Sequence, residues 1–343
     1  MKPYMAVDSP WRVPFDGSFK VAKAGTTPPR DAPPKPERKA RLARAVAEMA
    51  ELQKILYAHD HRSLLLVFQA LDAAGKDSTI RAVLSGVDPA GCQVTSFKQP
   101  SLLELDHDFL WRTTLALPER GRIGVFNRSY YEEVLAVRVH PEYLRNQRLP
   151  NPPAKIETLW EQRYESIRDH EKHLARNGTV VLKFWLHVSK DEQRDRFLAR
   201  LDEPEKNWKF NGGDIAERAH WDAYMAAYQD ALNATSCEQA PWYAIPADSK
   251  SYMRMVIAEI VVEALKAMDL RYPVLDAAEQ QQFAEMRRTL GTGVAVKKAK
   301  PKPKPKAKSN AKLKVKAKAK VTAKAVAKPR PASKKKAPTL PRR

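Results

Sequence analysis

With 343 residues and 43% hydrophobic content, the chain is large enough for one big or two ordinary domains around a substantial core, which excludes whole-chain disorder. Of 61 basic residues, 20 fall in Lys297–Arg343, where there is no Asp or Glu. The rest carries 41 basic against 40 acidic residues, so the +21 belongs to a tail and does not make the body a nucleic-acid-binding surface. Two cysteines, Cys92 and Cys237, exclude a disulfide framework and a multi-cysteine zinc site; no apolar leader or stretch of about 18 uncharged apolar residues is present, so a cytoplasmic protein without membrane contact is expected.

Residues 1–36 are rich in Pro, Gly and Lys, and the PPRDAPPKPE stretch predicts an extended arm, either wrapped on the body or loose. Leu42, Val46, Met49, Leu52, Ile55 and Leu56 recur at helical spacing, predicting an amphipathic helix over about 37–59. Ser63 to Ala70 reads as a strand, followed by a loop and a helix with Ile80, Val83 and Leu84. A second strand lies near Cys92 to Phe97. It precedes a helix opened by a capping box, Ser101 to Glu104, and carrying Leu102, Leu105, Phe109 and Leu110.

Gly121 to Asn127 is a third strand, Pro153 to Arg176 a long helix, and Thr179 to Val188 a buried strand. A second capping box, Ser189 to Glu192, opens another helix. A short strand at Trp242 to Pro246 then precedes an apolar helix over about 252–268. Repeated strand and helix alternation predicts an α/β fold, a parallel sheet with helices on both faces. Residues 37–290 form the expected globular body. The Lys/Ala/Pro-rich residues 291–343 cannot bury enough surface to order, so a disordered tail is expected.

Ala70 to Asp77 reads ALDAAGKD where strand gives way to helix, a place where backbone N–H groups can cradle phosphate. Lys76 would add a point charge. Against the G-x-x-x-x-G-K-[ST] pattern, Ala70 replaces the first Gly and Asp77 the Ser or Thr, although Ser78 follows; an ordinary tight turn with a surface lysine would read the same way. Asp72 beside a chain of phosphates is costly unless it binds Mg²⁺ or orients a phosphate, and a metal role is the economical reading.

After the third strand come Asn127, Arg128 and then Tyr130 to Glu133, a polar cluster at a carboxyl end; Arg128 suits a phosphate or, alternatively, pairs with Glu132 or Glu133. Arg196 and Arg200, at i and i+4, precede Pro204 and then Lys206, Trp208 and Lys209, which fits a cationic flap closing over phosphates or a solvated basic helix with an anchoring Trp. His107, His140 and His187 show no metal-ligand spacing and read as structural or exposed.

The segments LDAAGKDSTIRAVLSG, TSFKQPS, LDHDFLWR, GVFNRSYYEEVLAVRVHPE, VLKFWLHVSKDEQRDRFLARLDEPEKNWKF and APWYAIPADSK together resemble the polyphosphate kinase 2 family over about residues 38–270. The resemblance implies that residues 37–290 are a catalytic domain with a P-loop kinase-like fold of the thymidylate kinase type and a helical lid near 190–215. It also implies reversible transfer between inorganic polyphosphate and adenine nucleotides, with guanine nucleotides as an alternative, supported by Mg²⁺ or Mn²⁺.

The resemblance puts Asp72 on metal and acceptor positioning, and Lys76 with Ala73, Ala74, Gly75, Asp77 and Ser78 on the phosphates. Asn127 and Arg128 take the Walker B-like position, and Lys206, Lys209, Arg196 and Arg200 belong to the lid. Asn127 stands where one branch, acting mainly on diphosphates, has Asp; FNRS with YEEVL resembles the branches acting on monophosphates or on both. Arg112 and Asp106 lie in the acceptor region, with Glu133 as an additional polar partner; an Asp108–Arg112 ion pair is the competing reading. The resemblance further implies a homo-oligomer, dimer or tetramer. Rival readings are an ATP-dependent nucleotide or small-molecule kinase on the same fold, and a nucleic-acid-binding protein acting through its tail; the tail itself suits polyphosphate or DNA.

Overall fold

Ser63–Gln69 is a run of seven buried residues, and a strand covered on both faces belongs inside a sheet. In the computed structural model, which describes residues 4–209 and 212–292, it is β1, the centre of an all-parallel five-stranded sheet ordered β2-β3-β1-β4-β5. In chain order the elements are α1 (Lys35–His59), β1, α2 (Lys76–Val83), β2 (Cys92–Ser96), α3 (Leu102–Leu105), α4 (Trp111–Thr114) and β3 (Ile123–Asn127). Then come α5 (Ala136–Val139), α6 (Leu144–Gln147), α7 (Ile156–Arg176), β4 (Thr179–His187), α8 (Lys190–Asp202), α9 (Gly212–Arg218), α10 (Trp221–Thr235), β5 (Trp242–Pro246) and α11 (Lys250–Ala267).

Alternation along β1 divides the core in two. Leu64, Leu66 and Phe68 pack with α1, α2 and α11, while Leu65 and Val67 face α7 and α10 on the other side. The expected two-faced α/β layering is therefore present. Connections leave β1 towards β2 on one flank and return from β3 to β4 on the other, which opens a crevice at the carboxyl ends of β1 and β3.

The arm wraps the body. Arg12 forms an antiparallel bridge with Tyr243, Val13 N donates to Trp242 O at 2.9 Å and Ala244 N to Trp11 O at 2.8 Å, so the arm covers the free edge of β5. Two helix starts differ from expectation. The Ser101–Glu104 capping box is complete, but the helix it opens stops after one turn, because the Asp108 carboxylate accepts from Leu110 N and starts a new turn leading into α4. At α8 only half a box forms. Ser189 Oγ accepts from Glu192 N, whereas Ser189 N donates to Asp248 and the Glu192 carboxylate turns to Arg196.

The chain divides after Leu275 into two units. In the second, α12 (Ala277–Thr292) starts from a reciprocal cap, Glu279 N donating to Asp276 Oδ1 at 2.8 Å and Asp276 N to Glu279 Oε2 at 2.9 Å, a helix the sequence reading passed over. Apart from its first two residues, the predicted tail lies outside the described residues.

Candidate active site

The loop from Ala70 to Gly75 joins β1 to α2 by a backbone that bends twice through the left-handed region. Ala73 has φ 59° and Gly75, at the N-cap of α2, has φ 105°. A non-glycine residue held there is strained, and such strain collects where a loop must present its N–H groups to a ligand. Ser78 Oγ donates to Gly75 O at 3.0 Å, and Thr79 N to the same carbonyl, so the predicted phosphate residues Ala73, Ala74, Gly75, Asp77 and Ser78 do form one turn around the start of α2.

Lys76 folds back across that turn. Its Nζ donates to Ala70 O at 2.7 Å and to Leu71 O at 3.3 Å, and burial, reinforced by the nearby Arg128 guanidinium, lowers its pKa to about 8. At the parallel pairing Phe68↔Asn127, β1 and β3 end side by side; Arg128 N then donates to Phe68 O at 3.0 Å and takes φ 64°. That turn aims the Arg128 guanidinium at the loop, where NH2 meets Asp72 Oδ1 at 2.6 Å and NH1 meets Glu132 Oε2 at 3.3 Å. Glu132 and then Asp72 hold the guanidinium cationic against its partial burial. The Arg128–Glu132 pair weighed from sequence therefore coexists with an Asp72 contact that sequence did not reveal.

Asn127 Nδ2 donates to Asp77 Oδ1 at 2.6 Å, which leaves Asn127 Oδ1 buried with no partner. An orphaned amide oxygen beside the Asp72 and Asp77 carboxylates fits a small hard cation. Among the described residues no group of three His, Cys, Asp or Glu is placed to hold a metal ion, so such an ion would take its remaining ligands from water and phosphate, as Mg²⁺ commonly does.

Arg196, expected on the phosphates, lines the cleft in front of the loop but is almost fully buried, its guanidinium committed to protein groups. Its Nε donates to Glu192, its NH1 to the carbonyls of Ala73 and Ala74, and its NH2 to those of Ala247 and Asp248, which engages all five of its donors. Arg200, one turn on, lines the same cleft, paired with Asp214 at 3.1 Å. Trp208 is 78% exposed; the side chains of Lys206 and Lys209 lie outside the described residues.

The residues of the expected acceptor region are tied into the wall of a cleft. Arg112 NH1 donates to Lys98 O at 2.8 Å with its guanidinium over the Phe97 ring, while Asp108 caps Leu110, so no Asp108–Arg112 pair forms. Glu133 is buried against Arg163 and Gln147, which gives it a supporting place in the wall rather than an open one. Asp106 pairs with Arg148 at the rim. His140 bonds Glu217, and His187 is buried against Trp185, its pKa lowered to about 4 by desolvation; the latter is structural, as expected.

Two clefts meet at the loop. One, of about 790 Å³, is lined among the described residues by seven cationic side chains and two carboxylates; the other, of about 530 Å³, runs past Arg112, Glu133, Tyr143 and Tyr224. Asp72 and Arg128 line both.

The family profile described as Polyphosphate kinase 2 (PPK2) matches residues 34–273. Over 249 residues the chain is 55% identical to an ADP-polyphosphate phosphotransferase of Rhodopseudomonas palustris, covering 73% of this chain and 86% of that one. An AMP/ADP-polyphosphate phosphotransferase of Meiothermus ruber is 45% identical over 233 residues, 68% and 83% of the two chains. The crystal structure of polyphosphate kinase 2 from Arthrobacter aurescens superposes with a TM-score of 0.73 at 39% identity, covering 83% of this chain and 99% of that one.

Proposed function

The chain belongs to the polyphosphate kinase 2 family, and we propose that it passes the terminal phosphoryl group of inorganic polyphosphate to both AMP and ADP. The observation that carries this reading is the junction of a cation-lined cleft with a second, mixed cleft at Asp72 and Arg128. A polyanionic donor fits the first, a nucleotide the second. The relatives' names, one for ADP and one for AMP and ADP, support an acceptor range that includes both.

Little covalent chemistry is required of the protein. The acceptor is a phosphate oxygen already ionised at neutral pH, so no general base is needed, and catalysis reduces to in-line positioning and stabilisation of spread charge. The loop N–H groups and the start of α2 hold the donor phosphates, Lys76 swings from the Ala70 and Leu71 carbonyls onto them, and Arg128 reaches the group in transit. Arg196 keeps the Ala73 and Ala74 carbonyls turned away, so that the loop presents donors and not acceptors. Asp72 and the free Asn127 Oδ1 are the groups suited to hold Mg²⁺, or Mn²⁺ in its place, which when bound would neutralise phosphate charge. Residues 190–215 act as the lid over the donor cleft, through Arg200. Cys92 and Cys237 are unpaired, which agrees with the reducing cytoplasm as the setting.

The test is nucleotide chromatography after incubating the protein with long-chain polyphosphate, Mg²⁺ and either AMP or ADP. ADP and ATP should form in turn from AMP, and ATP from ADP, with Asp72→Asn and Lys76→Ala severely impaired. If products require ATP and never polyphosphate, the donor assignment is wrong.

A further inference from the structure

The two clefts share four lining residues, Asp72, Phe97, Lys98 and Arg128, and under the phosphotransferase reading above the group in transit occupies that junction. A loosely bonded phosphoryl group between two polyanions requires cationic charge there that is not already compensated. Arg128 is compensated twice, by Asp72 at 2.6 Å and Glu132 at 3.3 Å. Lys76 lies on the donor side with its ammonium on loop carbonyls, and Arg112, on the acceptor side, is pinned to the Lys98 carbonyl.

Lys98 is different. Its side chain is exposed, and its ammonium has no hydrogen-bond or ion-pair partner among the described residues. Its main chain is fixed from both sides. Phe97 N extends the β2–β3 ladder to Asn127 O at 3.0 Å, Lys98 O accepts from Arg112 at 2.8 Å, and the buried Phe97 ring stands edge-on to Phe126 at 5.0 Å. The result is an uncommitted ammonium on a rigid base, at the carboxyl end of β2 and beside the strand that carries Asn127 and Arg128. We propose that Lys98 is a catalytic residue whose ammonium contacts the phosphoryl group as it crosses from the donor cleft to the acceptor cleft, bridging donor and acceptor oxygens.

Lys98→Met, Lys98→Ala and Lys98→Arg in the full chain test this with polyphosphate and ADP, and again with AMP. Lys98→Met should lower kcat about 10²-fold while both KM values stay within about threefold, the pattern of an interaction made in the transition state. Lys98→Arg should recover part of the rate, and added ethylammonium should raise the rate of Lys98→Ala with concentration, a response that lost packing would not give. The thermal midpoint should stay where it is, because the side chain is exposed. A kcat within about threefold of the parent overturns the proposal, and so does a loss confined to the nucleotide KM, which would make Lys98 a ground-state anchor. A parent with no polyphosphate-dependent turnover would overturn both this inference and the phosphotransferase reading, whereas an active parent with fully active Lys98 variants overturns this inference alone.

Discussion

Asp72 and Arg128 meet at 2.6 Å across the carboxyl ends of β1 and β3, with their side chains 31% and 37% exposed. An ion pair so open to water contributes only about 0–1 kcal/mol to stability, so its place at the junction of the two clefts is better explained by chemistry. Asp72→Asn should therefore leave the unfolding midpoint nearly unchanged while lowering kcat by about two to three orders of magnitude, because both the cation-facing carboxylate and the aim of Arg128 are lost. Parallel thermal melts and steady-state kinetics decide it; a melt that drops in step with activity would make the pair structural.

Lys76 gives the site a pH dependence with a definite sign. Burial and the neighbouring Arg128 bring its ammonium down to about 8 in the free protein, and a bound phosphate must raise it again. Below pH 8 the amine is charged in both states, so polyphosphate affinity is flat. Above pH 8 binding must take up a proton, and affinity should fall towards about tenfold per pH unit until the bound-state value is reached. Polyphosphate binding calorimetry at pH 8.5–9 in two buffers of different ionisation enthalpy should show the uptake, and Lys76→Arg should abolish it.

How far the sequence carried the reading depends on how local each signal is. Four of the five strands were legible because each is a short, mostly apolar run between turn signals, β2 (CQVTS) being the polar, partly exposed exception, and the phosphate loop because it sits in one stretch of eight residues. The main-chain partners of Arg196 were illegible for the opposite reason. Helical spacing puts it on a face with Arg200, but its carbonyl partners lie 123 and 51 residues away, and no periodicity reports them. Lys183 was hidden in the same way, a charge inside an apolar strand whose partner Glu171 comes from the preceding helix.

Arg196 holds four main-chain carbonyls from two separate loops, so removing it leaves buried acceptors unpaired. Arg196→Met should destabilise the fold by about 2–4 kcal/mol and also raise the polyphosphate KM, since the loop it braces binds the donor. Arg196→Lys should rescue little, because an ammonium cannot reproduce a planar five-donor fork. Arg200→Met, which loses one partly exposed pair with Asp214, should alter donor affinity without a comparable fall in stability.

Behind the Arg128 turn, Lys183 and Glu171 are both fully buried, 2.6 Å apart, and the Tyr130 and Tyr131 hydroxyls donate to Glu171 at 3.0 and 2.9 Å. The network anchors the Tyr130–Glu133 turn and thereby the chain on which Arg128 stands. Burial alone would push Glu171 upward in pKa, so its carboxylate depends on Lys183 to stay charged. Lys183→Met should cost about 3–5 kcal/mol in chemical denaturation, because it strands a buried carboxylate; Lys183→Met combined with Glu171→Leu should recover a good part of that loss. A double variant no better than the single would point to packing and not charge.

The basic tail is predicted to act on encounter and retention, not on chemistry. Lys297–Arg343 holds 20 basic residues and no acid, while the rest of the chain is balanced at 41 against 40, so nearly all long-range attraction for a polyanion resides in that segment. Binding through it releases condensed counterions, and the logarithm of affinity then falls steeply with the logarithm of salt. A chain truncated after Gly293 should keep its saturated turnover, because Asp72, Lys76 and Arg128, on which the chemistry is placed, all precede that point. It should half-saturate at higher polyphosphate in low salt, with a shallower salt slope. Measuring the polyphosphate half-saturation from 50 to 300 mM salt for both chains separates the cases, and a truncated enzyme with a greatly reduced kcat at saturation would show that the tail enters the catalytic step.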